Sequence, residues 1–558
     1  MKTTTSLDLE DLLPSRLRGM ATVALAGVMS ASGCFTDAEG PTPAEDDSSG
    51  TAETSEGTTA SVLTDDSGDG LETEADVTGD GTCGDGVVDP GEQCDDGNDD
   101  ETDDCTSACA LPSCDDGLLS GDETDVDCGG GCGPCAQGQA CLDDGDCEST
   151  DCYVDTCAPA CDSWRIQYGT PGSDEARGIA IDDEGDLYIA GRVEGPLDGN
   201  ASAGDSDLFV SKFQPDGTPL FSRQLGTMLF DMSEDIAVDA DGSFLVPGRT
   251  ESALEGHTHL GMSDGIAVRY DAGADVEWTL QFGTELEDRI QSVGLSSNGR
   301  GYLAGYTTGS YDGTPNTGSS DMLLIKLDTD GTELWNRQLG GRSFQVAYGL
   351  AVDGNDDIIV AGLTGESFEG RTAWGGSDAF VAKFDGDGVL LWAAQVGGEA
   401  DDNPARVAVD ADNNVYVTGT TLGSFDLQDP LGGQDNFVVK FDPDGQKQWS
   451  SQFGTSVDDV ALDIAVDAEG TVYVVGHSLG DFGDGIVVGE EDASIVALDP
   501  EGELQWVELL GTPASDTLRA VEIGPQGEIY AAGFSRGDLG GPNAGDADIF
   551  VTRACRPR

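Results

Sequence analysis

Trp392-Ala-Ala-Gln-Val-Gly397 is one of seven copies of a short segment in this 558-residue chain. In each copy a large aromatic residue is followed five positions later by glycine, and the copies recur every 57 residues. The aromatic residues are Trp164, Phe221, Trp278, Trp335, Trp392, Trp449 and Trp506. A repeat of this length held over seven copies is typical of solenoids and propellers, in which each unit packs on the next.

Each repeat contains four short segments with the composition of β-strands. In one repeat they are Val407-Ala-Val-Asp410, Val415-Tyr-Val-Thr-Gly419, Asp435-Asn-Phe-Val-Val-Lys-Phe441 and the segment around Trp449. All are short and rich in β-branched and aromatic residues, which favours strands. Asp442-Pro-Asp-Gly445, between the third and fourth segments, predicts a tight hairpin. The sequence therefore predicts an all-β protein, a seven-bladed β-propeller of four-stranded blades over residues 162–558.

The two ends of the repeat region predict how the ring closes. The region begins at Trp164 with a fourth-type strand and ends over residues 548–554 with a third-type strand. The N-terminal strand should therefore complete the last blade. In this register Cys161 and Cys555 flank the turn that intact blades close with Pro-Asp-Gly, so we expect a disulfide between them. Chain-entropy reasoning gives an upper limit of roughly 5–6 kcal/mol for its stabilisation.

The composition limits the partners and the compartment. The net charge is −83, and no Lys or Arg lies between Arg18 and Arg165. Such a chain repels phosphate backbones, so we expect no nucleic-acid partner. Thirteen of the 15 cysteines lie between Cys83 and Cys161, in a segment without histidine. This pattern favours a disulfide framework formed in an oxidising compartment over a zinc cluster.

Residues 1–33 have the features of an export signal. Arg16 and Arg18 precede an apolar run over residues 20–30, which is too short to span a membrane. Ala31-Ser32-Gly33-Cys34 resembles the lipobox of bacterial lipoproteins. The resemblance implies a lipid on Cys34 as the only membrane anchor, and export to the outer membrane or cell surface. A cleaved signal with an incidental cysteine is the alternative. Residues 34–82 are acidic and polar, which predicts a disordered tether.

Two disulfide-rich modules are predicted at residues 83–110 and 111–161. The first begins Cys83-Gly-Asp-Gly-Val-Val-Asp and resembles the cysteine-rich repeat of myxobacterial surface proteins. The second, from Cys114 to Cys157, resembles a companion module often found beside it. Both resemblances imply surface display. Calcium is the only candidate cofactor, on the oxygen ligands of an acidic loop that contains Asp95, Asp96, Asn98, Asp99 and Asp100.

The region 163–555 as a whole resembles the SBBP (seven-bladed beta propeller) repeat family. The matching patterns are Trp-x-x-Gln-x-Gly, the Ile-Ala-Val-Asp strand and the Val-Tyr-Val strand that follows it. The resemblance implies a surface-exposed propeller and leaves the molecular function open. Three residues depart from the pattern: Ser296 and Gly524 in place of aspartate, and Leu509 in place of glutamine.

Residues that recur once per blade are interpreted as structural, because catalysis needs a group that differs from its counterparts. They include the aspartates Asp182, Asp239, Asp353, Asp410 and Asp467 and the basic residues Lys212, Arg269, Lys326, Lys383 and Lys440. His257 and His259, with Glu255 nearby, could hold a metal, but a solvated loop is the favoured interpretation. No hydrolase, metalloprotease or phosphate-binding motif is present, and no catalytic residue is predicted.

The connections between strands give the functional prediction. Antiparallel strands place both kinds of tight hairpin on one face of the ring and the long second-to-third connections on the other. Function usually lies on such loops. We therefore expect a scaffold for binding or adhesion to an extracellular polysaccharide or protein. A secreted propeller hydrolase or lyase acting on extracellular polymers and a passive structural component of the surface are the alternatives.

Overall fold

The computed structural model describes residues 161–483 and 487–556, together with parts of 83–157. The chain divides into Met1–Val77 and Thr78–Arg558, and only the second unit contains described residues. The predicted signal peptide, Cys34 and the acidic tether lie outside them and remain predictions. Among the described residues no helix has the length and hydrophobicity needed to cross a membrane.

The short strands β1 (Cys152–Tyr153) and β2 (Thr156–Cys157) pair in the cysteine-rich region. Seven antiparallel four-stranded sheets form the propeller that the repeats predict. The first strands are β4 (Glu175–Ile181), β8 (Asp231–Ser233) with β9 (Ala237–Val238), β13 (Asp288–Leu295), β17 (Gln345–Val352), β21 (Asp402–Val409), β25 (Asp459–Val466) and β29 (Asp516–Ile523). The second strands are β5 (Leu187–Val193), β10 (Phe244–Thr250), β14 (Gly301–Thr307), β18 (Ile358–Thr364), β22 (Val415–Thr421), β26 (Val472–Ser478) and β30 (Ile529–Ser535).

The outer half of each blade consists of a third and a fourth strand. The third strands are β6 (Asp207–Phe213), β11 (Asp264–Tyr270), β15 (Asp321–Leu327), β19 (Asp378–Phe384), β23 (Asp435–Phe441), β27 (Asp492–Leu498) and β31 (Asp548–Ala554). The fourth strands are β7 (Pro219–Leu225), β12 (Val276–Phe282), β16 (Glu333–Leu339), β20 (Leu390–Val396), β24 (Lys447–Phe453), β28 (Leu504–Leu510) and, for blade 7, β3 (Trp164–Tyr168).

Ring closure joins the two ends of the repeat region. β3 pairs antiparallel with β31, with Trp164 opposite Arg553 and Tyr168 opposite Ile549. One residue beyond β31, Cys555 is disulfide-bonded to Cys161 with a Cα–Cα distance of 5.8 Å. This is the pair that the strand register singles out. Arg556 then pairs with Asp467 of blade 6 at 2.7 Å, so the C-terminal end also contacts the preceding blade.

The hydrophobic core is divided among the blade junctions. Seven clusters of buried residues each combine strands from two neighbouring blades, and one of the seven repeated aromatic residues packs against each cluster. The aromatic side chains are half-buried because they lie on the outermost strands. Five tryptophans also donate Nε1–H to a turn carbonyl of the next blade, as Trp392 does to Pro443 at 3.0 Å. The ladder thus holds neighbouring blades together.

The repeated glutamines hold the long connections. Gln224 Nε2 donates to the Gly195 carbonyl at 3.0 Å and to Asp207 at 2.7 Å, while its Oε1 accepts from the Leu197 amide at 3.1 Å. Six blades repeat this arrangement, including the closing blade through Gln167. Blade 6 has Leu509 at this position, and a leucine side chain cannot form these hydrogen bonds.

Three of the five repeated basic residues pair with a repeated aspartate, which fits their structural interpretation, whereas Lys326 donates to the Gly386 carbonyl and Lys440 lies over the Tyr416 ring. Asp182 at the end of a first strand contacts Lys212 of the third strand at 2.9 Å, and Asp353 contacts Lys383 at 2.6 Å. These pairs span the second strand, whereas we expected pairs between adjacent strands. The longer side chain of lysine or arginine makes this reach.

Pairs of buried aspartates meet at six of the seven blade junctions. One begins the third strand of a blade and the other begins the first strand of the next blade: Asp207 and Asp231, Asp264 and Asp288, Asp378 and Asp402, Asp435 and Asp459, Asp492 and Asp516, and Asp548 and Asp174. The glycine of the ladder lies between them. A Cβ on Gly397 would lie 2.5 Å from Asp402 Oδ2 and 3.0 Å from Asp378 Oδ1. The repeat therefore requires glycine here.

Each pair places two carboxylates in a dry junction. Burial, reinforced by the charge of Asp378, raises the pKa of Asp402 to about 6. Burial raises the pKa of the equivalent first-strand aspartates in the same way. The remaining junction has Gln345 in place of the first-strand aspartate. It keeps the single carboxylate of Asp321 and is a natural version of the site with one acidic group fewer.

We predict that these junctions make the ring less stable as the pH rises. The folded-state pKa of Asp402 lies above its ordinary value of 3.8, so its contribution to stability is complete below about pH 4 and is lost as the pH rises through about 6. At pH 7.5, Asp402→Asn should stabilise the full chain by about 1 kcal/mol, and Gln345→Asp should destabilise it by a similar amount. Both effects should shrink at pH 5. Urea unfolding at the two pH values measures this, and pH-independent effects would contradict it.

Candidate ligand-binding site at the channel mouth

Two faces of the ring differ in their connections. The long-loop face carries the second-to-third connections, such as residues 194–206, and the links from each fourth strand to the next first strand. The tight-turn face carries the two hairpins of each blade, in which Gly217 and its equivalents have positive φ. A backbone hydrogen bond joins the loops at every junction on the long-loop face, as between the Asp231 amide and the Ser206 carbonyl at 2.9 Å. This face is therefore a stiff platform.

The first strands line the central channel and enter it from the long-loop face. Their second and fourth positions, and the sixth position of the second strands, differ from blade to blade. Blades 7, 1, 2 and 3 place charged residues there, and blade 2 interrupts its first strand at Glu234 and Asp235. We call this set the mouth: Glu175, Arg177, Arg192, Glu234, Arg249, Glu287, Arg289, Tyr306, Tyr348, His477 and Arg519.

Glu175 is the acceptor at the centre of the mouth. Arg192 lies 2.7 Å from its carboxylate, Arg177 3.2 Å and Arg519 3.9 Å. Burial opposes ionisation of Glu175, but the charges of the three arginines hold its pKa well below the ordinary range. Arg177 also pairs with Glu234 of blade 2 at 3.1 Å. The mouth is therefore a network that crosses three blades.

The positive charges of two arginines of the mouth are poorly compensated by carboxylates. Within the described part of the chain, Arg249 has no carboxylate at ion-pair distance, and its guanidinium lies 5.0 Å above the Phe230 ring. Burial and the neighbouring charge of Arg289 lower the pKa of Arg249 to about 10. Burial and the charge of Arg177 lower the pKa of Arg519 to about 10 as well. Both side chains stay cationic at neutral pH.

The rest of the mouth is neutral or already paired. Arg289 pairs with Glu287 at 2.7 Å, and the Tyr306 hydroxyl donates to the same glutamate at 3.4 Å. Burial and the charge of Arg519 lower the pKa of His477 to about 4, so this histidine is neutral at physiological pH. The mouth therefore presents cationic groups whose nearby carboxylates are engaged elsewhere.

A second set of charged residues lies in the channel and includes an arginine that reaches across it. Arg406 of blade 5 reaches across to donate to the Tyr348 carbonyl at 2.6 Å and to the Glu234 carbonyl at 3.2 Å. Below it lie the acidic side chains of Asp463 and Glu522, whose pKa values burial raises to about 7. Arg406 thus crosses the channel and ties blade 5 to blades 4 and 2.

Large apolar side chains are exposed on the long-loop face. They lie on the long connections, on the links between blades or at the ends of second strands: Met228, Leu229, Leu260, Met262, Leu286, Trp374, Leu422, Leu427, Leu431, Val457, Leu479 and Val488. Exposed apolar groups gathered on one face of a soluble domain usually mark an interaction surface.

The structure separates the residues that we weighed as metal ligands. His257 Nε2 lies 2.8 Å from Thr279 Oγ1, while His259 Nδ1 lies 3.2 Å from Asp264, so the two rings turn to different partners. In the acidic loop, Asp95 accepts hydrogen bonds from the amides of Gly86 and Gly97. Asp96, Asp99 and Asp100 lie outside the described residues, so calcium binding there stays a prediction.

The cysteines of residues 83–157 are tied within each predicted module. The described disulfides are Cys83–Cys109, Cys94–Cys105, Cys114–Cys132, Cys128–Cys135 and Cys147–Cys157. None of these five bonds crosses from residues 83–110 to residues 111–161. Their connectivity was not predictable from the spacing of the cysteines.

Residues 163–192 and 391–426 match the family model described as SBBP, a beta-propeller repeat. Two stretches of this chain thus match the SBBP repeat. The first match runs from the closing strand β3 to the second strand of blade 1, and the second covers most of a fourth strand, a junction and the first half of blade 5. The family match gives no information on what the mouth binds, because the residues of the mouth vary among the repeats.

Two curated proteins are similar to part of this chain. The chain is 27% identical over 250 residues to the regulatory protein FlaEY of Caulobacter vibrioides, covering 41% of this chain and 26% of that protein. It is 25% identical over 201 residues to an uncharacterized WD repeat-containing protein, L264, of Acanthamoeba polyphaga mimivirus, covering 28% and 14%. The chain thus spans about a quarter or less of the length of these relatives.

Solved propellers are similar at low identity. The β-propeller domain of the Trilobed protease from Pyrococcus furiosus is 8% identical, with a TM-score of 0.39 over 68% of this chain and 93% of that one. A gluconolactonase from Xanthomonas campestris is 14% identical, with a TM-score of 0.33 over 70% and 90%. At these values neither structure bears on what the SBBP repeats of this chain bind.

We predict that removing Glu175 destabilises the ring. Glu175→Ala leaves Arg177, Arg192 and Arg519 buried without their shared acceptor, which should cost about 3–5 kcal/mol. Glu194→Ala is the matched control, because Glu194 also pairs with Arg192 but is far more exposed, at 39%. That change should cost less than about 1 kcal/mol. Urea unfolding of the full chain at pH 7 compares them, and equal losses would contradict the network.

Proposed function

We propose that this protein is a lipid-anchored cell-surface protein whose propeller binds a polysaccharide or protein ligand on the long-loop face. The observation that carries the proposal is the mouth, where charged residues that most blades lack come together in an otherwise repetitive ring. A residue shared by all blades serves the blades. A residue that most blades lack is free to serve a ligand.

The point at which the chain enters the propeller supports this orientation. The Cys161–Cys555 disulfide lies where the other blades have a tight third-to-fourth hairpin, and Trp164 beside it donates to the Pro215 carbonyl of such a hairpin at 3.0 Å. The preceding segment therefore joins the ring at its tight-turn face. Within the propeller, the entering segment and the long connections therefore lie on opposite faces.

We call the exposed apolar side chains of the long-loop face the apolar rim. They supply contact area that the mouth lacks. Trp374 is 59% exposed and Met262 64% exposed on two different long connections. Aromatic and aliphatic groups of this kind stack on sugars or pack on protein side chains. The junction hydrogen bonds hold the connections in place before a ligand arrives, which lowers the entropy lost on binding.

We predict that binding depends on the long-loop face alone. The full chain would be screened against glycans and surface proteins, with and without calcium. Any ligand found should bind at least tenfold more weakly to the triple variant Leu260→Ala, Met262→Ala, Trp374→Ala. Leu220→Ala, Leu334→Ala, Leu391→Ala is the matched control, because these leucines are 44–50% exposed at the starts of fourth strands. Loss of binding in the control, or turnover of the ligand, would contradict the proposal.

A further inference from the structure

The mouth has the chemistry of an anion site. Arg177, Arg249, Arg289 and Arg519 each have a buried Nε with no hydrogen-bond acceptor in the described part of the chain. Arginine side chains of the mouth keep some exposure, at 14% for Arg177 and 22% for Arg519. Buried N–H groups that lack acceptors cost free energy, and a bound anion would recover it.

Arg249 and Arg519 are the groups that a ligand would reach. Arg249 and Arg192 both lie over the Phe230 ring, at 5.0 and 5.8 Å, and Arg192 and Arg519 share the Glu175 carboxylate, which places Arg249 and Arg519 around the same part of the mouth. The nearest carboxylates are already engaged, since Glu175 serves Arg192 and Arg177, and Glu234 also pairs with Arg177. An incoming acceptor would therefore complete the coordination of two cations without displacing an existing pair.

The negative charges near the mouth favour an anion that carries a single charge. Three glutamates belong to the mouth, and the chain as a whole has a net charge of −83. A polyanion or a doubly charged phosphate would meet strong repulsion on approach. A single carboxylate matches the planar fork of a guanidinium and carries one charge.

We infer that the mouth binds a carboxylate of an apolar peptide segment, a deeper form of the proposed function and dependent on it. The apolar rim favours a peptide over a uronic-acid polysaccharide, because methionine, leucine and valine side chains match apolar amino acids better than hydroxylated sugars. The carboxylate enters the mouth between Arg249 and Arg519, and flanking apolar side chains pack on the rim. Its source is either a free C-terminus or an Asp or Glu side chain.

Three pools of random heptapeptides test this on the immobilised full chain. One pool lacks Asp and Glu and has a free C-terminus, the second lacks them and is amidated, and the third is amidated with one central Glu. We expect retention of the first or the third pool and not of the second, and the retained pool identifies the source of the carboxylate. Equal retention of the amidated acid-free pool, or retention of none, would overturn the inference.

Variants separate a ligand role from a structural one. Arg249→Gln should weaken binding of the retained pool at least tenfold while leaving the melting temperature unchanged or higher, because the wild-type arginine is buried without a carboxylate. Arg300→Gln is the control, since Arg300 lies on the tight-turn face, 40% exposed beside Asp328, and its loss should not change binding. Unchanged binding in Arg249→Gln would overturn the inference while leaving the long-loop face as the binding surface.

An oligogalacturonate probe tests the rival class of ligand. It carries carboxylates without apolar side chains, so we expect it to bind at least tenfold more weakly than the retained peptide pool. Binding as tight as that of the peptides, and lost in Arg249→Gln, would show that the mouth recognises an acidic sugar and would overturn the peptide assignment. Failure of every probe on the wild type would overturn the inference, while a ligand from the glycan and surface-protein screen that still requires Leu260, Met262 and Trp374 would leave the proposed function standing.

Discussion

Every blade of this ring must be joined to the next in the same way, and one of the seven junctions can form only from the two ends of the repeat region. At each junction a first-strand amide donates to the loop that precedes the third strand of the preceding blade, at 2.8–2.9 Å. At the last junction the Asp174 amide makes this bond to Ala547. It forms because β3 completes blade 7 and the Cys161–Cys555 disulfide holds it there.

Most of the frame could be predicted from the sequence because it repeats. The interval between Trp164 and Trp506 gives the number of blades, and the unmatched strands at the two ends indicate how the ring closes. The reason for the glycine in each repeat could not be predicted, because it depends on two aspartates that meet only in the folded junction. Gly397 lies between Asp378 and Asp402, which are 24 residues apart in the chain.

The candidate site could not be predicted for the opposite reason. Arg177 and Arg519 share one repeat position and Arg192 and Arg249 share another, but the five remaining repeats carry other residues at each position, so alignment of the repeats gives no consensus there. The charged residues of the sequence contained a signal that could have found this site. In a chain with 108 acidic and 25 basic residues, arginines at lumen-facing positions of neighbouring blades are unexpected. The search for histidines and catalytic motifs led instead to His257 and His259, which turn to separate partners.

A closed ring keeps the mouth assembled from blades at both ends of the repeat region. Amide hydrogen exchange of the full chain tests this most directly, because the seven junction amides can be compared within one molecule. We expect the Asp174 amide to be protected as strongly as those of Asp231, Asp288 and Asp459, and to lose protection first when disulfides are reduced. Rapid exchange of Asp174 in the oxidised protein, with the other junctions protected, would show an open ring and contradict the account.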